Sequence, residues 1–148
     1  MKHEVYKNLT IADDLSIFEF FSIGPKGVIL KRILFMTTEY PDTVNLAFGD
    51  IDKNGEINDF VISNNGDRDK ILATVCHVIG LYLKKYPNRQ VYFKGSTAER
   101  TRLYRIIINN NIKWFNLQYN ILIEQEFDFV PFQPNISTIG FLIKKKII

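Results

Sequence analysis

The chain holds a single cysteine, Cys76, and two histidines among its 148 residues. One thiol excludes an internal disulfide framework and a cysteine-rich zinc site. No apolar run approaches the ~20 residues that a membrane helix needs, and the opening MKHEVYKNLT has no signal-peptide core. A membrane partner is therefore not expected. What the chain does have is an ordinary globular balance: 46% hydrophobic and 24% charged residues exclude wholesale disorder, collagen-like and low-complexity classes. The length fits one domain over residues 1–148, since single cores commonly run to roughly 100–150 residues.

The formal net charge of +3 hides an asymmetry. Residues 1–83 carry 8 Lys/Arg against 12 Asp/Glu, a balance of −4, whereas residues 84–148 carry 11 against 4, a balance of +7. Positive charge gathered in one half attracts an anionic partner there; the alternative is that the halves neutralise each other across one fold.

The first 63 residues read as strands. Residues 16–23 are rich in Ile and Phe, Gly24-Pro25-Lys26-Gly27 is turn chemistry, and 28–37 (VILKRILFMT) is a long partner strand with little room for a polar face. Residues 43–49 alternate, with Val44, Leu46 and Phe48 on one face, and 57–62 makes a fourth strand. Short connections between four strands predict an antiparallel meander. Residues 67–86 switch to helical period, with Ile71, Leu72, Val75, Val78, Ile79, Tyr82, Leu83 and Tyr86 on one face, Asp67 as N-cap and Pro87 as stop. A short strand at 90–94 and a helix at 97–109 follow. Residues 115–127 and 138–145 read as a closing strand pair, with the alternative that the segment around Trp114 prolongs the second helix. The expected fold class is α+β: a four-strand antiparallel meander, then helix-strand-helix and a C-terminal strand pair, in a mixed sheet packed against two helices.

Residues 50–61 (DIDKNGEINDFV) match a calcium-binding EF-hand loop at Asp50, Asp52, Asn54, Gly55 and Ile57, but position 12, which needs a bidentate Glu, is Val61. The flanks are strand-like, so residues 50–56 are expected to be a hairpin tip turned by Asn54-Gly55, with no metal. The stretch KGSTAERTRLYR (94–105) carries more. Ser96-Thr97-Ala98-Glu99 reads as a capping box, which gives Ser96 and Glu99 a structural role. Arg100 and Arg102 fall in the opening turns of a helix whose N-terminus is already partly positive, a placement that calls for a nearby anion or carboxylate. Leu103, Ile106 and Ile107 define the expected buried stripe, with Arg105 pointing away from it and Arg100 at its edge. Free backbone N–H groups beside arginines make a generic anion site; the alternative is structural arginines paired with carboxylates.

If strands 57–62 and 90–94 run parallel around the helix between them, both helix N-termini share one sheet edge. That edge would bring Asn65 and Asp67 beside Lys94, Ser96, Thr97, Arg100, Arg102 and Arg105, and clefts beyond parallel strand ends are favoured binding positions. Arg100 is then expected to pair with Asp67 or to face a bound anion. His77 lies opposite the apolar helix face, His3 near the terminus, and Cys76 reads as a buried, inert thiol. The element order is similar to that of ribonuclease H-like nucleases, but the short strand ends in Lys94 where a metal-binding carboxylate would stand.

The segments FEFFSIGPKG (18–27), NLAFGD (45–50), ISNNGD (62–67), LATV (72–75) and KGSTAERTRLYR (94–105) resemble an uncharacterised bacterial family, a domain of unknown function whose members are single-domain proteins of about this size. The resemblance runs over most of the first 105 residues; residues 109–137 add little to it. It implies a bacterial, cytoplasmic, stand-alone domain and brings no activity or catalytic residue. The leading expectation is a non-enzymatic module whose basic edge contacts RNA or another phosphate-bearing ligand, with no cofactor. The alternatives are a small hydrolase or nuclease using Asp67 with Ser96 or Thr97, and a protein-interaction component of a bacterial defence or toxin–antitoxin operon. A homodimer and a protein partner both stay open.

Overall fold

Hydrophobic alternation at period two builds the first half of the molecule. After the two-residue β1 (Thr10–Ile11), strand β2 (Ile17–Gly24) buries Phe18, Phe20 and Ser22 and turns through Pro25-Lys26 into β3 (Gly27–Thr37), which buries Lys31, Ile33 and Phe35. Strand β4 (Thr43–Ile51) adds Val44 and Leu46 to the same face and turns back into β5 (Ile57–Asn58). The computed structural model describes residues 4–58 and 64–146. The rest of the expected 57–62 strand, with Val61, and also His3 lie outside the described residues.

Helical period then takes over in α1 (Arg68–Lys85), followed by β6 (Gln90–Phe93), α2 (Ala98–Asn110), α3 (Ile112–Gln118), β7 (Tyr119–Glu124), β8 (Phe129–Pro131) and β9 (Phe141–Lys145). The fold is α+β: one mixed sheet in the order β1-β2-β3-β4-β6-β9-β7-β8, with β5 beside the far end of β4. Its inner face, including Phe18, Phe20, Ile33, Val91, Phe93, Phe141 and Ile143, forms one core with Val75, Val78, Ile79 and Leu83 of α1 and with Tyr104 and Ile108 of α2. Phe35 stacks on Tyr82 with ring centroids 4.0 Å apart. Each fully buried side chain of this kind contributes about 1.5–3 kcal/mol. Cys76 belongs to this core, and burial pushes its thiol up to about 12, which leaves no thiolate to react at neutral pH.

Two expectations are corrected. The parallel neighbour of β6 is β4, with Thr43 opposite Gln90 and Asn45 opposite Tyr92, not the strand that begins at Ile57. The reason lies in the turn after β4. Asp52 Oδ1 accepts from the backbone N–H groups of Asn54 (2.9 Å) and Glu56 (3.0 Å), and the chain reverses, so β5 runs against β4 while α1 carries the chain back to β4's direction. The calcium-like spacing is thus a hairpin tip, and the Asp50 carboxylate is paired with Lys31.

The second correction concerns residues 115–127. Their first part is helix α3, and the strand starts at Tyr119. Phe115 and Tyr119 are four apart, a spacing that reads as strand alternation and also as helical period. The contact of Phe115 with Trp114, at 4.9 Å between ring centroids, and with Tyr119 favours the helix. The C-terminal pair is consequently a triplet, β9-β7-β8, and among the described residues three helices cover the sheet where two were expected.

Candidate functional site

The start of α2 is organised by close backbone approach. A Cβ built on Gly95 would stand 2.5 Å from both the Arg100 Cβ and the Thr101 nitrogen, so only glycine lets the chain leave β6 at this angle. The Gly95 N–H donates to Thr101 Oγ1 at 3.0 Å, and that hydroxyl donates to the Thr97 carbonyl at 3.2 Å. The N-cap is Thr97, not Ser96: its backbone is extended (φ −133°, ψ 161°) and its Oγ1 accepts from the Arg100 N–H at 3.2 Å. Shifting the cap by one residue puts Arg100 where a capping box requires Glu, so the box does not close. Ser96 instead accepts from Arg100 Nη1 at 2.7 Å. Thr97→Ala should cost about 1 kcal/mol in urea unfolding, and a larger loss from Ser96→Ala than from Thr97→Ala would contradict this assignment.

The buried face of α2 also differs from the expected stripe. The buried residues of α2 are Thr101, Tyr104, Ile107 and Ile108, while Ile106 is exposed and Leu103 half-buried. Tyr104 sets this face through its edge contact with Phe93, at 5.2 Å between centroids.

Asn65 and Asp67 have other work. Asp67 occupies the N-cap position of α1 without capping it. Its Oδ2 accepts from the hydroxyls of Tyr6 and Ser22 (2.6 Å to Ser22), and its Oδ1 is buried without a hydrogen-bond partner. Burial, and next the bond to Asp67, raise the Tyr6 pKa above its ordinary value. Asn65 is buried: its Oδ1 accepts from the Lys26 N–H at 2.7 Å, and its Nδ2 donates to the Gly27 carbonyl at 3.0 Å and to Ser22 Oγ at 3.1 Å. Together they bind the β2–β3 turn and the N-terminal segment to the start of α1. The expected Arg100–Asp67 pair is not formed; strand register puts both helix starts toward one sheet edge, but each side chain is held by its own neighbours.

The remaining arginines stand apart from this packing. Arg102 and Arg105 are one turn apart on α2 and line an open depression of about 340 Å³ with Ala98, Glu99, Ser137 and Thr138. Neither arginine makes an ion pair or side-chain hydrogen bond among the described residues. The opposite wall is the loop before β9, fixed where Thr138 Oγ1 donates to the Gly140 carbonyl (2.8 Å) and Gln125 Nε2 donates to the Ser137 carbonyl (2.9 Å). Of the eight residues singled out in the sequence, two therefore line the depression, Lys94 is exposed at the end of β6, and five serve local structure. Ser137 and Thr138 carry no signal in the sequence, because their approach to α2 depends on the β7–β8–β9 register rather than on any local motif.

No curated protein and no solved structure matches the chain. Residues 2–146 match the sequence profile described as DUF6934, a family of unknown function, and the chain belongs to that family.

Proposed function

We propose that the protein is a non-enzymatic binding module that takes a phosphate-bearing ligand, RNA among them, at the Arg102–Arg105 depression. One observation carries this reading: two guanidiniums on one helix face, without carboxylate partners among the described residues, across from two hydroxyl side chains in an open depression. Guanidinium forks match phosphate oxygens in a way that a solvated surface charge does not need. The basic balance of residues 84–148 adds a long-range attraction for such a ligand. Glu99 shares the lining and disfavours a small free anion, which supports a ligand that offers donors as well as phosphate. The hydrolase alternative needed Asp67 beside Ser96 or Thr97; Asp67 bonds Tyr6 and Ser22 instead, which supports binding over catalysis.

Fluorescence anisotropy of a labelled single-stranded RNA across a salt series tests the proposal. Binding should weaken with salt, and Arg102→Ala/Arg105→Ala should lower the slope of log K against log salt by about 1.4, at about 0.7 per lost phosphate contact. Salt-independent binding, or a double variant that binds like the parent, would contradict it.

A further inference from the structure

Charges of both signs line the α2 depression, and the acidic one takes no part in holding the helix start. Glu99 reads in the sequence as the last member of a capping box with Ser96. With Thr97 at the N-cap that box does not close, and Glu99 stays exposed in the first turn of α2. Among the described residues its carboxylate makes neither an ion pair nor a hydrogen bond, although Arg102 lies one turn along the helix. The depression therefore presents an unengaged acceptor beside two unengaged guanidiniums.

Spacing separates the two signs. Glu99 and Arg105 are six residues apart, ~9 Å at the rise of an α-helix, with Arg102 one turn from each. Ser137, on the opposite wall, is exposed, and its hydroxyl is unengaged among the described residues. A ligand that satisfies this lining offers an anion toward Arg105 and hydrogen-bond donors toward Glu99. A phosphate group alone supplies only the first.

We infer that Glu99 selects an unpaired guanine in the ligand, while Arg102 and Arg105 hold its phosphate. This rests on the phosphate-binding reading of the depression and names the base that accompanies the phosphate. An ionised carboxylate only accepts hydrogen bonds, and it has two oxygens with which to do so. On the Watson–Crick edge, guanine alone sets two N–H donors side by side, on N1 and on the exocyclic nitrogen. Adenine and cytosine set one amino donor beside an acceptor nitrogen, and uracil sets one N–H between two carbonyl oxygens. Each of those three turns a lone pair toward the carboxylate. The sugar is a poorer match, because within a strand its 3′ oxygen is esterified and the remaining hydroxyl lies beside the phosphate, not two helical turns away. That edge is open only where the base is unpaired, as in single-stranded RNA or a free nucleotide.

Fluorescence anisotropy with the hexanucleotides UUUGUU, UUUIUU and UUUAUU is the test, where I is inosine, guanosine without its exocyclic amino group. The guanine RNA should bind about tenfold more tightly than the adenine RNA, from one bidentate contact, with the inosine RNA between them. Glu99→Gln, of the same size without the charge, should bring the three affinities together. Arg102→Ala/Arg105→Ala should instead weaken all three alike. Competition separates the two sources of the base: displacement by 5′-GMP as effective as by unlabelled RNA assigns the site to the mononucleotide, and weaker displacement assigns it to the strand. In both cases 5′-GMP should displace better than 5′-AMP. Arginine-dependent binding that is equal for the three RNAs would overturn the inference and leave the phosphate reading standing. A guanine preference that survives Glu99→Gln would do the same. Binding indifferent to the two arginines would overturn both.

Discussion

Gly24→Ala should destabilise the protein by about 3 kcal/mol, the upper range for forced overpacking. A Cβ at this position would lie 1.8 Å from the Asn65 carbonyl oxygen and 2.9 Å from the Asn65 Cγ. Neither atom is free to withdraw. The Asn65 side chain is fixed by three bonds to Lys26, Gly27 and Ser22, and its backbone leads within two residues into Asp67 and α1. The methyl group must therefore break the contact between the β2–β3 turn and the start of α1, or displace the turn. Urea denaturation with an unchanged m-value would report the loss. A variant as stable as the parent would mean that residues 24 and 65 are not in contact.

Lys31→Ala should cost about 3 kcal/mol, the low end for removing one member of a buried ion pair. Lys31 is 4% exposed on the core face of β3, directly across the ladder from Asp50, with which it is paired. Truncation leaves the Asp50 carboxylate partly buried and without its cation, whereas replacing both partners with apolar residues avoids that penalty. Lys31→Met/Asp50→Leu should thus recover most of the stability lost in Lys31→Ala, and a double variant worse than the single would contradict the account.

These two sites show what sequence reading reaches and where it stops. The strands at 16–23, 28–37 and 43–49 and the helix face from Ile71 to Leu83 were legible because local period and core position agree there. Asp50 was misleading in isolation: its spacing to Asp52 and Asn54 suggests calcium, and only the β3–β4 register reveals Lys31 as its partner. Asp67 stands at the α1 cap position that its place before the helical period predicts, yet its carboxylate is drawn away by Tyr6 and Ser22, 61 and 45 residues distant in sequence. The shift of the α2 cap from Ser96 to Thr97 has a similar origin. Two adjacent hydroxyl residues can each cap a helix, and the contact of Gly95 with Arg100 and Thr101 decides between them.

The arginines of α2 divide in the same region. With Thr97 at the cap, Arg100 turns back to Ser96, while Arg102 and Arg105 face the depression. In the proposed function this depression receives the phosphate groups of the ligand. Titrating isotope-labelled protein with a short single-stranded RNA at low salt, and following the backbone amide resonances, tests it most directly. The account predicts perturbations concentrated at residues 98–105 and at Ser137 and Thr138, abolished in Arg102→Ala/Arg105→Ala. Perturbations confined to the basic residues of 84–89 and 144–146 would contradict it.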